Sequence, residues 1–450
     1  MTTDIVASIE DRSPRGIAAA ISRLISDGSL PSGTRLPTVR ALATGIATSP
    51  TTVAEAWQIL ARIGVIEARG RRGTFVLDTA RPDGPRRYRR MSEGPGHFRL
   101  DLSTGTPDPA LLPELGPILA RVSKRPIVTS YLDDPVLPEL DEQLRASWPF
   151  PPEALTVVDG AMDALDRIAA VTVRLGDRVL VEEHTFPPLL DLLDQIGAEA
   201  IGLAVDPNGI VPESLQEGLI RRPVALFLQP RAQNPTGVRM TSRRARLLAG
   251  ALRGTDVIVV EDDHSGDIAT GEDVSIGKYL PGQTVHIRSF SKSHGPDLRL
   301  AAIGGAGEIV RHVAARRMLG PGWSSRLLQS VLVELLRDPA SVTAVGEARG
   351  TYSARRTALT THLDQLGVRY TGSDGINLWV EVADEHAALL SLASQGVGVA
   401  AGTPFLTAPG PVDHLRVTVA LLASGHAELA GQLAVAASGA AAGGRWSRHR

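Results

Sequence analysis

Apolar residues recur at helical spacing three times within the first sixty positions, then give way to short runs. Ile17, Ile21, Leu24 and Ile25 line one face of a first helix, and Gly28 stops it. The prolines and Gly33 of Ser29–Arg40 enforce a turn before a second helix carrying Val39, Leu42, Ala43 and Ile46 on one face. Thr48-Ser49-Pro50 breaks the pattern and opens a third helix, with Ser49 as N-cap and Pro50 in the first helical position. Val53, Ala56, Trp57 and Leu60 form its apolar face, while Thr51 and Thr52 lead its polar one. Val65–Leu77 then reads as a β-hairpin around the basic tip Arg69-Gly70-Arg71-Arg72-Gly73. Two helices joined by a tight turn, the second polar at its start, have the helix-turn-helix layout, and an arginine-bearing wing suits a groove or phosphate contact. The alternative is a small helical domain whose charged hairpin binds protein.

Beyond residue 78 the pattern changes. Residues 79–97 carry no apolar period and are rich in Pro, Gly and Arg, as in Arg81-Pro82, Gly84-Pro85-Arg86-Arg87 and Gly94-Pro95-Gly96, which is linker composition. Their arginines either add salt-sensitive phosphate affinity or keep the linker soluble. From about 155 to 305 short apolar runs alternate with helical segments. Candidate strands are Arg178–Glu182, Ile201–Val205, Val224–Gln229, Val257–Glu261 and Val285–Phe290. The alternation predicts an α/β fold with a mostly parallel central sheet, whose ligands gather at the carboxyl ends of the strands. The expected division is 1–78, a linker over 79–97, and a body over 98–450 ending in a frayed tail.

Composition narrows the chemistry. The chain has 450 residues and no cysteine, so disulfides, thiolate metal sites and thiol catalysis are excluded. Residues 1–97 hold 14 arginines against nine acidic residues, whereas the remainder holds 33 basic and 40 acidic ones. A basic front on an acidic body hints at a polyanion bound at one end. Met1–Glu10 lacks the basic and apolar regions of a secretory signal, and no apolar stretch approaches a membrane span. A cytoplasmic protein with no membrane partner and no metal site is expected.

Lys292 is one of only three lysines in a chain with 44 arginines. An arginine stays protonated, whereas a lysine amine can lose its proton and attack a carbonyl, so a Schiff base with pyridoxal phosphate is the chemistry to consider. Chance survival of a lysine is the bland alternative. The residues just past the expected strand ends bear on the choice. Asp159-Gly160-Ala161-Met162 opens a helix with free backbone amides, a natural phosphate seat. Phe186 could lie flat against an aromatic ring. Asp262 could hold a pyridine nitrogen protonated, or merely cap a helix. Asn234, in Asn234-Pro-Thr-Gly237, could meet the ring hydroxyl or be a turn residue. Ser289, Ser291 and Arg299 could hold a phosphate, although Arg299 could equally be a surface charge.

Two resemblances cover nearly the whole chain. Gly33-Thr-Arg-Leu-Pro-Thr-Val-Arg40 and Gly73-Thr-Phe-Val76 resemble the GntR-type winged helix-turn-helix over about 13–78. That resemblance implies DNA contacts from Arg35, Thr38, Arg40, Ser49, Thr51, Thr52, Arg69, Arg71, Arg72 and Gly73. Gly160-Ala161-Met162, Asn234–Gly237, Glu261-Asp262-Asp263 and Ser289-Phe-Ser-Lys292 with Arg299 resemble fold-type I aminotransferases over roughly 98–435. By that resemblance Lys292 holds the cofactor, Asp262 its ring nitrogen, Asn234 its ring oxygen and Phe186 its ring face. Ser289 and Arg299 hold its phosphate. Arg416 matches the arginine for a substrate α-carboxylate, and Tyr131 the residue that reaches a neighbouring subunit's site. Together the two halves resemble the MocR-type, GabR-like transcription regulators, which use bound pyridoxal phosphate as a sensor within a head-to-tail homodimer.

Three departures stand out. His264 stands where the family has a tyrosine donating to the ring oxygen, Met162 replaces a polar residue at the phosphate turn, and the segment after Leu140 looks shortened. The expectation is a regulator of double-stranded DNA that senses a small amine, or pyridoxal phosphate itself, by aldimine exchange at Lys292. The rivals are an active aminotransferase with an appended DNA reader and a cofactor-free dimerisation module.

Overall fold

The computed structural model describes residues 2–9, 11–26, 29–62, 65–68, 70–77, 87, 98–124, 130, 133–410 and 412–438. Contacts divide it into two units, Met1–Arg86 and Arg87–Arg450.

In the first unit the three expected helices are α2 (Pro14–Ser26), α3 (Val39–Gly45) and α4 (Pro50–Arg62), preceded by a short α1 (Thr2–Ala7). Ile17, Ile21, Leu42, Val53, Ala56 and Leu60 are fully buried in one core, which Ile5 of α1 joins. Strands β1 (Ile66–Ala68) and β2 (Thr74–Val76) pair antiparallel, Ile66 opposite Val76, around a single 3-10 turn at Gly70–Arg72. The helix faces follow the apolar spacing because a three-turn helix is held mainly by the stripe it buries. The unforeseen α1 spans six residues, too few for periodicity to show.

The second unit is built on a seven-stranded sheet. Its strands are β3 (Ala154–Val158), β4 (Arg178–Glu182), β5 (Glu199–Leu203), β6 (Ala225–Leu228), β7 (Ile258–Asp263), β8 (Thr284–Ser289) and β9 (Ala301–Gly305). They lie in the order β3-β9-β8-β7-β6-β4-β5. The run from β8 to β5 is parallel, and β9 alone runs against its neighbours. Val179, Val181, Phe227, Val260 and Ile287 face one helical layer, while Leu180, Leu226, Leu228 and Val259 face the other. Apolar residues on both faces are what a doubly covered parallel sheet requires. A four-stranded antiparallel sheet follows: β10 (Tyr370–Thr371), β11 (Asn377–Val382), β12 (Ala400–Ala401) and β13 (Asp413–Thr418), in the order β10-β11-β13-β12.

Three departures from the strand pattern have physical causes. The fifth strand begins two residues early, at Glu199, because its ladder opens on the Arg178–Glu199 pair at 3.0 Å. Strand β7 runs on through Glu261-Asp262-Asp263, so Asp262 lies inside a strand rather than past it. The acidic run stays in the sheet because each carboxylate is bonded: Glu261 accepts from Ser275 Oγ, Ile276 N and His286 Nδ1, and Asp263 pairs with the Arg231 guanidinium. Strands β3 and β9 escaped notice. Ala301-Ala-Ile-Gly-Gly305 has little β-branched signal, and its small residues serve packing: a Cβ at Gly304 would lie 2.8 Å from the Trp148 ring.

Candidate functional site

In the first unit the two marker strings meet in space. Gly33 N donates to Val76 O at 2.9 Å and Leu36 N to Thr74 O at 2.8 Å, and Arg35 bridges Phe75, so residues 33–36 flank β2 as a third wing segment. A Cβ at Gly73, whose φ is +105°, would lie 2.7 Å from Arg35 Nε, so this glycine lets the guanidinium lie across the wing. Arg35, Arg40, Thr51 and Arg72 are exposed. Thr38 Oγ1 caps α3 by accepting from Ala41 N at 3.2 Å, and Ser49 Oγ caps α4 by accepting from Thr52 N at 3.1 Å. The hydroxyls of Ser49 and Thr52 are 2.8 Å apart. One of them therefore donates to the other, and the pair keeps one hydroxyl proton for a phosphate rather than two. Arg71 lies in the one-turn helix at the wing tip, and Arg69 falls outside the described residues.

In the second unit the expected site residues converge on the carboxyl edge of the large sheet. Gly160 follows β3 and starts α5 (Ala161–Thr172); Phe186 follows β4 and starts α6 (Pro187–Ile196); Asn234 follows β6, and Lys292 follows β8. Arg299 enters the same edge because β9 runs the opposite way. Gly160 has φ +99°, and a Cβ there would lie 3.7 Å from the Arg299 guanidinium, so an arginine stands over the first amides of α5. Ala161 and Met162 pack against the core with their side chains, so at this turn they offer backbone amides. Ser289 Oγ, buried, accepts from Ser291 N at 3.3 Å. Phe186 is half-buried, with no ring stacked on it among the described residues.

The polar centre is more telling. Asp262 is buried; its Oδ2 accepts from Gln229 Nε2 at 2.7 Å, while Oδ1 has no partner. Burial raises its carboxyl pKa, against the pull of His264 and Gln229. A buried carboxylate oxygen without a donor is costly unless a ligand supplies one, and a protonated pyridine nitrogen would. Lys292 Nζ donates to the Gly105 carbonyl. Burial, then the nearby Arg416 charge, brings its amine down to about 8, with Asp262 opposing. Asn234 Oδ1 accepts from Arg416 Nη1 at 3.3 Å and from Asn377 Nδ2 at 3.5 Å. Its peptide bond to Pro235 is cis.

Arg416, on β13, is 1 % exposed. Its Nη2 donates to Ser103 O, its guanidinium lies 5.1 Å over the Phe405 ring, and its Nε lacks a partner. Burial lowers its pKa to about 10, and among the described residues no carboxylate pairs with it. Such a cation is suited to a carboxylate brought by a ligand.

At His264 an imidazole stands where the resemblance leads to a tyrosine. His264 Nε2 lies 2.9 Å from Ala232 O, and a carbonyl can only accept, so Nε2 carries the proton. Burial lowers its pKa and keeps the ring neutral, leaving Nδ1 an acceptor. The imidazole therefore cannot donate to a ring oxygen as the tyrosine would. Tyr131 falls outside the described residues. Sequence reasoning overlooked Ser103 and Gly105, whose carbonyls meet the two cations. Their signal was Gly105, which has φ +64° and a position where a Cβ would lie 3.2 Å from Arg416 Nη1.

Comparisons with known proteins agree with this division. Residues 14–76 match the bacterial regulatory proteins of the gntR family, and residues 99–431 match the aminotransferases of class I and II. The vitamin B6 salvage pathway transcriptional repressor PtsJ of Salmonella typhimurium is 33 % identical over 422 residues, 92 % of this chain and 96 % of that protein. The HTH-type transcriptional regulator TauR of Rhodobacter capsulatus is 28 % identical, over 85 % of this chain and 87 % of its own. Among solved structures, an archaeal alanine:glyoxylate aminotransferase superposes with TM-score 0.69 at 24 % identity, over 78 % of this chain and 93 % of that one. At that identity the likeness concerns the fold.

Proposed function

The chain belongs to the MocR-type transcription regulators, a GntR-family winged helix-turn-helix joined to an aminotransferase class I and II body, and from that membership we propose that it is a DNA-binding regulator responsive to pyridoxal phosphate. The observation that carries the reading is the unpartnered Oδ1 of buried Asp262 in a site that also holds Lys292, with Arg299 over Gly160 on the same sheet edge. The Salmonella relative, named as a repressor of vitamin B6 salvage, points the same way.

When bound, pyridoxal phosphate supplies an aldehyde that condenses reversibly with primary amines. Lys292 offers that amine, and its pKa of about 8 leaves a usable neutral fraction at physiological pH. Arg299, the amides of Gly160, Ala161 and Met162, and the hydroxyls of Ser289 and Ser291 would take the phosphate. Asp262 would take the ring nitrogen, Asn234 the ring oxygen and Phe186 the ring face. His264, with its donor spent on Ala232, would orient the loop rather than donate to the ring.

A second reading, in which an amino compound displaces Lys292 and acts as the signal, is favoured by Arg416, a buried guanidinium suited to its carboxylate. In either case the ligand acts only through a difference in affinity between two arrangements of the protein. The reader would dock on double-stranded DNA through Arg35, Arg40, Thr51 and Arg72, with Thr38, Ser49, Thr52, Arg69, Arg71 and Gly73 completing the surface. A homodimer suits this role; Leu319, 92 % exposed beside Met318, offers apolar surface for a second copy. A cytoplasmic location follows from the work proposed, and no described helix is long and apolar enough to cross a membrane.

The test is affinity for the chain's own promoter DNA, measured without ligand, with pyridoxal phosphate, and with pyridoxal phosphate plus a panel of amino acids. A change on adding pyridoxal phosphate supports the first reading, and a further change with one amine supports the second. Constant affinity under all conditions, with cofactor demonstrably bound, overturns both. Steady conversion of an amino acid and keto acid that depends on Lys292 would instead favour an aminotransferase with an attached reader.

A further inference from the structure

Three buried side chains with no role so far, Glu182, Gln229 and Gln233, lie together beneath Asp262 and Asn234. They are 2 %, 6 % and 1 % exposed, so water cannot replace the bonds they make. Gln229, at the end of β6, uses both halves of its amide. Its Nε2 donates to Asp262 Oδ2 at 2.7 Å, and its Oε1 accepts from Asn234 N at 2.7 Å. The Asn234 amide can only donate, so it sets which way the Gln229 amide points and leaves Nε2 for the carboxylate. Below, Glu182 Oε2 accepts from Gln229 N at 3.1 Å and from Gln233 Nε2 at 3.2 Å. Gln233 Oε1 in turn accepts from Thr236 N at 3.0 Å and from the Thr236 hydroxyl at 2.6 Å. One continuous bonded chain thus runs from Glu182 to the two residues expected at opposite polar ends of the ring.

We propose that Gln229 is a positioning residue for the bound ring: it turns Asp262 so that the free Oδ1 meets the ring nitrogen, and it holds Asn234 in register for the ring oxygen. Glu182 is the footing beneath it. Burial pushes the Glu182 carboxyl up to about 8, while its Oε2 remains the acceptor for Gln229 N and Gln233 Nε2. A side-chain amide carries a neutral donor and a neutral acceptor on one planar group at any pH, and Gln reaches further than Asn. A methionine of similar volume fills the space and makes neither bond.

The inference rests on pyridoxal phosphate binding at Lys292, and its test separates the two. Full-length wild type, Gln229→Met, Gln229→Asn and Glu182→Gln are stripped of ligand and titrated with pyridoxal phosphate. Dissociation constants and the visible circular dichroism of the bound chromophore are recorded, with borohydride labelling of Lys292 and apo melting temperature alongside. Gln229→Met is expected to weaken binding roughly tenfold to a hundredfold, as loss of a buried bond to a charged group does, and to lower the induced dichroism. Gln229→Asn, polar but short, is expected to fall between Gln229→Met and wild type; it serves as the test variant should Gln229→Met fail to fold. Glu182→Gln keeps the accepting oxygen and is expected to stay within about threefold of wild type. Affinity and dichroism unchanged in both Gln229 variants, with wild type labelled at Lys292, would overturn this inference alone. An unlabelled wild type would overturn the binding reading and this inference with it.

Discussion

The two units handle positive charge in opposite ways. Arg35, Arg40 and Arg72 of the reader are exposed, and none forms an ion pair among the described residues. Arg416 of the body is buried and Lys292 half-buried, and their donors meet the carbonyls of Ser103 and Gly105 and, from Arg416, Asn234 Oδ1. Exposed guanidinium groups keep their hydration until a polyanion arrives, and each adds a small, salt-screened increment. A buried cation without a counter-anion costs the fold several kcal/mol at most sites, and under the proposed function a small ligand would supply the missing charge. Positive charge is therefore held at the surface in one unit and in the interior in the other.

Substitutions can break that contrast, the deepest site first. Lys292→Ala is expected to abolish borohydride-fixed pyridoxal phosphate and to weaken its binding on the order of a hundredfold, measured by fluorescence titration. Next comes the titration of the amine itself. Reaction of Lys292 with pyridoxal phosphate should rise about tenfold per pH unit below its pKa of about 8 and level off above it, since only the neutral amine attacks. A rate still climbing towards the ordinary lysine value of 10.5 would show that the amine is not withdrawn from water.

Arg416→Met sharpens the contrast through stability. Removing a buried cation should leave the apo melting temperature unchanged or raise it by a few degrees while eliminating any response to amino acids. A large fall in melting temperature would mean that the guanidinium is a structural tie to Ser103 and Asn234. The smallest effects belong to the reader. Arg40→Ala and Arg72→Ala should each cost about 1 kcal/mol of DNA affinity and reduce the salt slope by about one, with no change in the binding of pyridoxal phosphate.

How far the sequence disclosed this structure depended on which physical signal each part carries. The reader's three helices were legible because Ile17, Ile21, Leu42, Val53 and Leu60 repeat with the helical period and all reach one core. The parallel strands were legible as apolar runs, and Lys292, Asp262, Asn234 and Arg416 as residues of apt chemistry near strand ends. Strands β3 and β9 were not: β9 is mostly Ala and Gly, with Gly304 against Trp148, and carries little propensity. Nor could the sequence distinguish the three acids of β7. Glu261 and Asp263 face bonded partners, whereas Asp262, between them, keeps a free oxygen, a difference that arises only once the strand alternates its faces. His264 gave a donor on paper and an acceptor in space, since the Ala232 carbonyl takes its proton. Gln229 and Glu182 were invisible because their importance lies in what they touch.

The most direct measurement is peptide mapping after reconstitution with pyridoxal phosphate and reduction with borohydride. With only Lys124, Lys278 and Lys292 in the chain, the site of a stable adduct can be assigned without ambiguity. The account predicts a single reduced adduct at Lys292, lost in Lys292→Ala. An adduct at Lys124 or Lys278, or none at all, would contradict it.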